Sequence, residues 1–159
     1  MKTDTTAISS QALLEHWQGH RRLTRRVIER FPEDALFTYS LGGMRPFAEL
    51  VMEMLHIGAP GIRGAVTGTW QSLGQEYGKF GTRAELLRQW DETTEQINAL
   101  WPQIPPQRFL ETDKAFGWYE GVIHAHIMYF IDNEIHHRGQ GYVYLRALGI
   151  EPPPFWERA

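Results

Sequence analysis

The sequence predicts an all-α fold, a four-helix bundle with long crossover connections, and three observations carry that expectation. Four stretches repeat apolar residues at helical spacing, and none alternates apolar with polar residues over the length of a strand. Gly/Pro-rich connections, at roughly 32–45, 68–81 and 102–117, separate the four stretches. With 159 residues the chain reads as a single domain over 1–159. A hydrophobic share of 42% against 22% charged residues excludes a disordered chain, and a net charge of −3 leaves no basic field to attract nucleic acid.

The first helix is expected over Ser10 to Arg30. Ser9 and Ser10 offer N-caps, Leu13, Trp17, Leu23, Val27 and Ile28 recur at helical spacing, and Phe31-Pro32 ends the run. The second opens at Pro46 and places Phe47, Leu50, Val51, Met54, Leu55 and Gly58 on one face. Ala59-Pro60-Gly61 is expected to kink or interrupt it before Ile62 to Thr67. The third starts with a capping box, Thr82-Arg83-Ala84-Glu85, and stops at Pro102. The fourth is read from about Trp118 to Leu148, with Gly149 as its C′ residue and Pro152-Pro153-Pro154 behind it.

Neither end nor middle offers a membrane segment. The start, MKTDTTAISSQ, has no apolar h-region, and the longest charge-free apolar stretch, Gly121 to Ile131, is eleven residues. A cytoplasmic protein with no membrane and no nucleic-acid partner is the expectation.

The chain has no Cys and seven His. That excludes disulfides, a thiolate nucleophile of its own and cysteine metal sites, so any metal must be held by His, carboxylate or amide. The fourth helix is apolar nearly all round, as buried helices are. Yet His126, Asn133, His137, Gln140 and Tyr144 fall within an arc of roughly 60°. A polar stripe on a buried helix needs partners: hydrogen bonds to other side chains, a metal ion or a wet cleft. Asn133 and His137, spaced i and i+4, present two metal-capable atoms on one face, although Asn is a poorer transition-metal ligand than His.

Glu53-Met54-Leu55-His56 and Glu134-Ile135-His136-His137 both read Glu-x-x-His, the motif of di-iron carboxylate bundles. Those bundles also need inward Glu residues on the other two helices. Glu15 and Glu29 lie opposite the apolar stripe of the first helix, and Glu92 and Glu95 opposite that of the third, which argues against a di-iron centre.

The run from Asn133 to Gly149, with its His-His-Arg-Gly-Gln core, resembles the last-helix signature of the DinB/YfiT-like family. Met44-Arg45-Pro46-Phe47-Ala48-Glu49-Leu50 opening the second helix and the capped third helix fit the same order, so the resemblance covers the whole chain. It implies a four-helix bundle, a homodimer, and a divalent metal (Zn, Ni, Fe or Mn) in a cleft that takes a small-molecule substrate. It also implies a metal-dependent enzyme, a transferase or isomerase using an external low-molecular-weight thiol, or a hydrolase. The alternative is a catalytically silent binding or stress-response relative.

The family's metal is held by a His of the second helix and an H-x-x-x-H pair of the last. His137 matches the second member of that pair, and Asn133 stands in place of the first. On the second helix the matching position falls on Glu53, with His56 one turn later as the other candidate. The candidate metal ligands are therefore His137, Asn133, and Glu53 or His56. His136, about 100° around the helix from His137, does not share that metal in a regular helix; it is a candidate general base, or a contact to another helix or a dimer partner.

Elsewhere, Glu134 and Arg138 are expected to pair at i, i+4, and Gly139 and Gly141 to admit close approach of another helix. Arg21, Arg22, Arg25, Arg26 and Arg30 read as a solvated face, and His16 and His20 as packed or surface residues. His124 and His126 point to different sides and do not form one site.

Overall fold

A computed structural model describes residues 7–73 and 80–159. In chain order they form α1 (Ser10–Arg30), α2 (Glu33–Thr38), α3 (Phe47–Thr67), α4 (Arg83–Leu100), two short 3-10 turns, β1 (Thr112–Ala115), β2 (Tyr119–Val122) and α5 (Ile123–Ala147). The four long helices close a ring in the order α1, α5, α3, α4, each packing on two neighbours. Among the described residues no helix is long and apolar enough to cross a membrane.

The helix ends follow the chemistry of their caps. Ser9 Oγ accepts from Ala12 N–H at 3.0 Å to start α1. The box at α4 is complete: Glu85 N–H donates to Thr82 Oγ1 and Thr82 N–H to Glu85 Oε2, both at 3.2 Å. Inside the bundle, Leu14, Trp17, Ile62, Trp101, Phe116 and Phe130 belong to one apolar cluster. Val27, Phe31, Phe47, Leu50, Trp90 and Tyr144 belong to a second.

Gly141 brings α5 against α3 as expected, because a Cβ there would meet the Phe47 ring at 2.5 Å. Gly139 does not, since no atom lies within 4 Å of where its Cβ would be. A close approach also occurs at Gly61, where the Phe130 ring fills the place of a Cβ.

Three expectations are corrected. The fourth long helix begins at Ile123 rather than Trp118, because residues 112–122 form an antiparallel hairpin with Ala115 opposite Tyr119 and Thr112 opposite Val122. Strands of four residues are too short to show alternation, and the turn rests on positive φ at Phe116 (55°) and Gly117 (75°). A bulky residue in that region is strained; Phe116 is held there because its buried ring packs edge-on against Trp70 and Phe130. In the connection after α1, Glu33 and Asp34 supply the acidic first turn of the short α2. Pro60 does not interrupt α3, which runs unbroken to Thr67. The residues around it, Ile57 to Ile62, are all buried, and packing on both sides outweighs one missing hydrogen bond.

Candidate functional site

The polar stripe of α5 divides among four sets of partners. Near its start His126 donates from Nε2 to the Asp113 carbonyl (3.1 Å), fastening the hairpin to α5. Toward its end Tyr144 donates to the Arg45 carbonyl (2.8 Å). These are structural bonds of the kind a buried polar group requires. The middle of the stripe faces α3.

There Glu53 Oε1 accepts from Asn133 Nδ2 at 3.0 Å and from His137 Nε2 at 2.9 Å. Glu53 Oε2 accepts from the Arg45 guanidinium, which enters from the residues before α3. Asn133 and His137 are 8% and 7% exposed, whereas Glu53 keeps about a third of its side chain open. On its other side His137 donates from Nδ1 to Gln140 Oε1 (2.7 Å), and Gln140 Nε2 points at Met44 Sδ (3.1 Å).

The electrostatics follow from these bonds. The His137 hydrogen bond, aided by those from Arg45 and Asn133, holds the Glu53 carboxyl well below the usual carboxylate range. The same bond to Glu53 raises the pKa of His137, with help from Gln140 and against the cost of burial. His56 lies one turn beyond Glu53; burial lowers its pKa and the Glu53 charge partly opposes that. Glu53, His56 and Arg45 line a cavity of about 1000 Å³ whose walls include Phe116, Tyr129 and Phe130.

Four of the five candidate residues thus stand at this site: Glu53, Asn133 and His137 converge on one point, and His56 borders the same cavity. His136 does not join them. Its ring lies edge-on to His137 at 5.1 Å, and the residue is exposed on the outer side of α5. Sequence reading passed over Arg45, although it directly precedes the Pro46 that opens the helix carrying Glu53.

Glu134 serves a different purpose from the expected pairing with Arg138. At 2% exposure it faces α1, where Oε2 accepts from Trp17 Nε1 (2.9 Å) and Oε1 from the Thr24 hydroxyl (2.7 Å). Arg21 approaches it at 3.6 Å while donating to the Trp90 carbonyl and lying over the Trp90 ring. Arg138 instead donates to His20 Nδ1 and Thr24 Oγ1.

Arg21, Arg22, Arg25 and Arg26 of α1 are correspondingly engaged, and Arg30 is exposed. Arg21 is buried, Arg25 forks onto Asp91, and Arg22 and Arg26 donate to the carbonyls of Arg158 and Glu157. Glu15, Glu29, Glu92 and Glu95 are exposed, which keeps carboxylates from converging as a di-iron site requires. His16 is exposed and His20 buried; His124 and His126 bond separately, to Phe109 and Asp113.

Fit to a metal ion can be judged from the donors. Among the described residues no three His, Cys, Asp or Glu side chains are placed to hold one. The third donor here is an amide. Because a carboxylate only accepts, Asn133 must turn Nδ2 toward Glu53, and this leaves its Oδ1 buried with no donor. Turning the Asn133 amide over would bring Oδ1 to the side of the Glu53 carboxylate and the His137 imidazole, a donor set that suits a divalent cation. In that orientation the residues fit.

Comparison with known proteins places the fold. The Bacillus subtilis (strain 168) protein YjoA is 24% identical over 155 residues, covering 94% of this chain and 97% of that one. A crystal structure of YjoA, a DinB-like protein, superposes with a TM-score of 0.74 at 20% identity, covering 92% of this chain and 99% of the other. A DinB-like protein from Bacillus cereus ATCC 10987 gives 0.73 at 14% identity, with 91% and 95% covered. At such identities the likeness concerns the fold. The DinB family model matches residues 1–159, and the chain belongs to the DinB family.

Proposed function

We propose that this chain is a metal-dependent enzyme acting on a small molecule, with a divalent ion (Zn, Ni, Fe or Mn) held by Glu53, Asn133 and His137. One observation carries the reading: Asn133 and His137 converge within 3.0 Å of the same Glu53 oxygen while Asn133 Oδ1 is buried without a donor. The mixed oxygen and nitrogen set favours a harder ion than three imidazoles would. Such an ion supplies Lewis acidity, lowering the pKa of a water or thiol that it binds.

The rest belongs to the chain. Gln140 Oε1 accepts a hydrogen bond from the Nδ1–H of His137, which leaves Nε2 as the ligating atom. Arg45 fixes the second oxygen of Glu53 and so sets the direction of the first. The aromatic cavity walls receive the apolar part of a substrate next to Glu53 and His56. The 159 residues include no Cys, so a thiol used in transferase chemistry arrives as a cosubstrate.

The test is metal analysis and calorimetric titration of protein purified without an affinity tag. About one ion per chain is expected, with His137→Ala lowering affinity at least tenfold. Substoichiometric metal that His137→Ala leaves unchanged would overturn the reading. It would favour the silent binding or stress-response alternative, in which Arg45 and a protonated His137 are the permanent partners of Glu53.

A further inference from the structure

The cavity beside Glu53 has a dry end and a wet one. Phe116 and Phe130, 6% and 4% exposed, form its floor, whereas Tyr119 and Tyr129, 59% and 56% exposed, stand at its rim. Aromatic rings therefore accompany a ligand from the opening to the buried end. The hairpin supplies Phe116 and Tyr119, and α5 supplies Tyr129 and Phe130. The side formed by α3 is polar: Glu49 lies one turn before Glu53, and both line the cavity.

Among the described residues that line it, the carboxylates are Glu49, Glu53 and Glu120, and the guanidinium is that of Arg45. Arg45 is spent on the second oxygen of Glu53, so the exposed Glu49 and Glu120 give the opening a negative charge. Lys114 stands opposite Glu120 in the hairpin register, outside the cavity lining. A negative rim draws in cations and turns anions away, and a ring face adds its own attraction to a cation within about 6 Å of its centre. We propose that the cavity takes an organic cation with an apolar body. Its ammonium head rests against Tyr119 and Tyr129 in the field of Glu49 and Glu120, and its body reaches down to Phe116 and Phe130. A volume of about 1000 Å³ asks for such a body, since a bare ammonium would leave most of it empty. The head does not draw on Glu53, whose oxygens are already committed. This inference rests on the reading of the cavity as the substrate site and names the class of its substrate.

Calorimetric titration with probes that share one body tests this: phenylbutylammonium, the neutral phenylbutanol and the anionic phenylbutyrate. Each is titrated at low salt into the protein as purified and after chelation, with circular dichroism to confirm folding. The ammonium is expected to bind about tenfold more tightly than the alcohol, and the carboxylate most weakly. Glu49→Gln combined with Glu120→Gln should bring the ammonium to within roughly threefold of the alcohol and leave the alcohol unchanged. Tyr129→Leu should weaken the ammonium more than the alcohol. Equal binding of ammonium and alcohol overturns the proposal. So does a preference that the double exchange leaves intact, or no binding of any probe at millimolar concentration. Metal content is read separately. A preference for the ammonium in a protein that holds no metal overturns the metal-enzyme reading and supports this one; a full complement of metal with no such preference does the reverse.

Discussion

Glu53 answers to three donors at once, and that makes its surroundings as informative as the residue itself. Gln140 touches neither Glu53 nor the cavity, yet it decides which nitrogen of His137 points inward. Gln140→Leu should therefore cut metal affinity roughly 10- to 100-fold while leaving the melting temperature of the metal-free protein within a few degrees, measurable by calorimetric titration and thermal melting. A matching experiment concerns Glu134, two percent exposed and enclosed by Trp17, Thr24 and Arg21. Glu134→Gln keeps the shape but leaves Arg21 and Arg138 without their compensating charge. A loss of roughly 3 kcal/mol in urea unfolding is expected. Sequence patterning could place Asn133 and His137 on one face because both lie on a single helix, where angle follows from spacing. It could not choose Glu53 over His56, nor bring in Arg45, because those positions depend on how two helices are turned toward each other.

At the scale of elements, caps and proline stops fixed most boundaries. α1 runs over the expected residues, and the box at Thr82 is formed in full. What local chemistry could not supply is the effect of burial. Pro60 is tolerated because its neighbours are packed, and the hairpin of residues 112–122 exists because Phe116 finds a place between Trp70 and Phe130. The α3–α5 contact makes a testable case. Gly141→Ala would gain helix propensity of up to about 1 kcal/mol, but its methyl would sit 2.5 Å from the Phe47 ring. Overpacking should dominate, with a net destabilisation of about 1–2 kcal/mol in chemical denaturation.

For the whole molecule, the response to acid is set partly by His20. Burial first, then the charges of Arg138, His16 and Arg158, push its pKa down to about 3 from an unfolded value of 6.5. The folded protein thus refuses a proton that the unfolded chain accepts. The stability that His20 contributes is complete above pH 6.5, declines as pH falls from 6.5 toward 3, and levels off below that. His20→Gln should flatten this part of the curve, seen as a smaller fall in melting temperature between pH 7 and pH 4 than wild type shows. A parallel decline in both proteins would place the acid sensitivity elsewhere.

Glu134 and His137 sit three residues apart on α5 and answer to opposite sides of the bundle, one gripped by α1 and the other aimed at α3. The grip works as a key in a shaft. It fixes the azimuth of the whole helix, and a rotation of about 20° would carry a side-chain tip some 2 Å around a helix of roughly 6 Å radius. The aim of His137 and Asn133 is thus set from the far wall of the bundle, by residues that never meet a ligand. Laboratory evolution of the cavity would accordingly find its fine adjustment in Trp17, Thr24 and Arg21, where a change resets the angle of every group on α5 together.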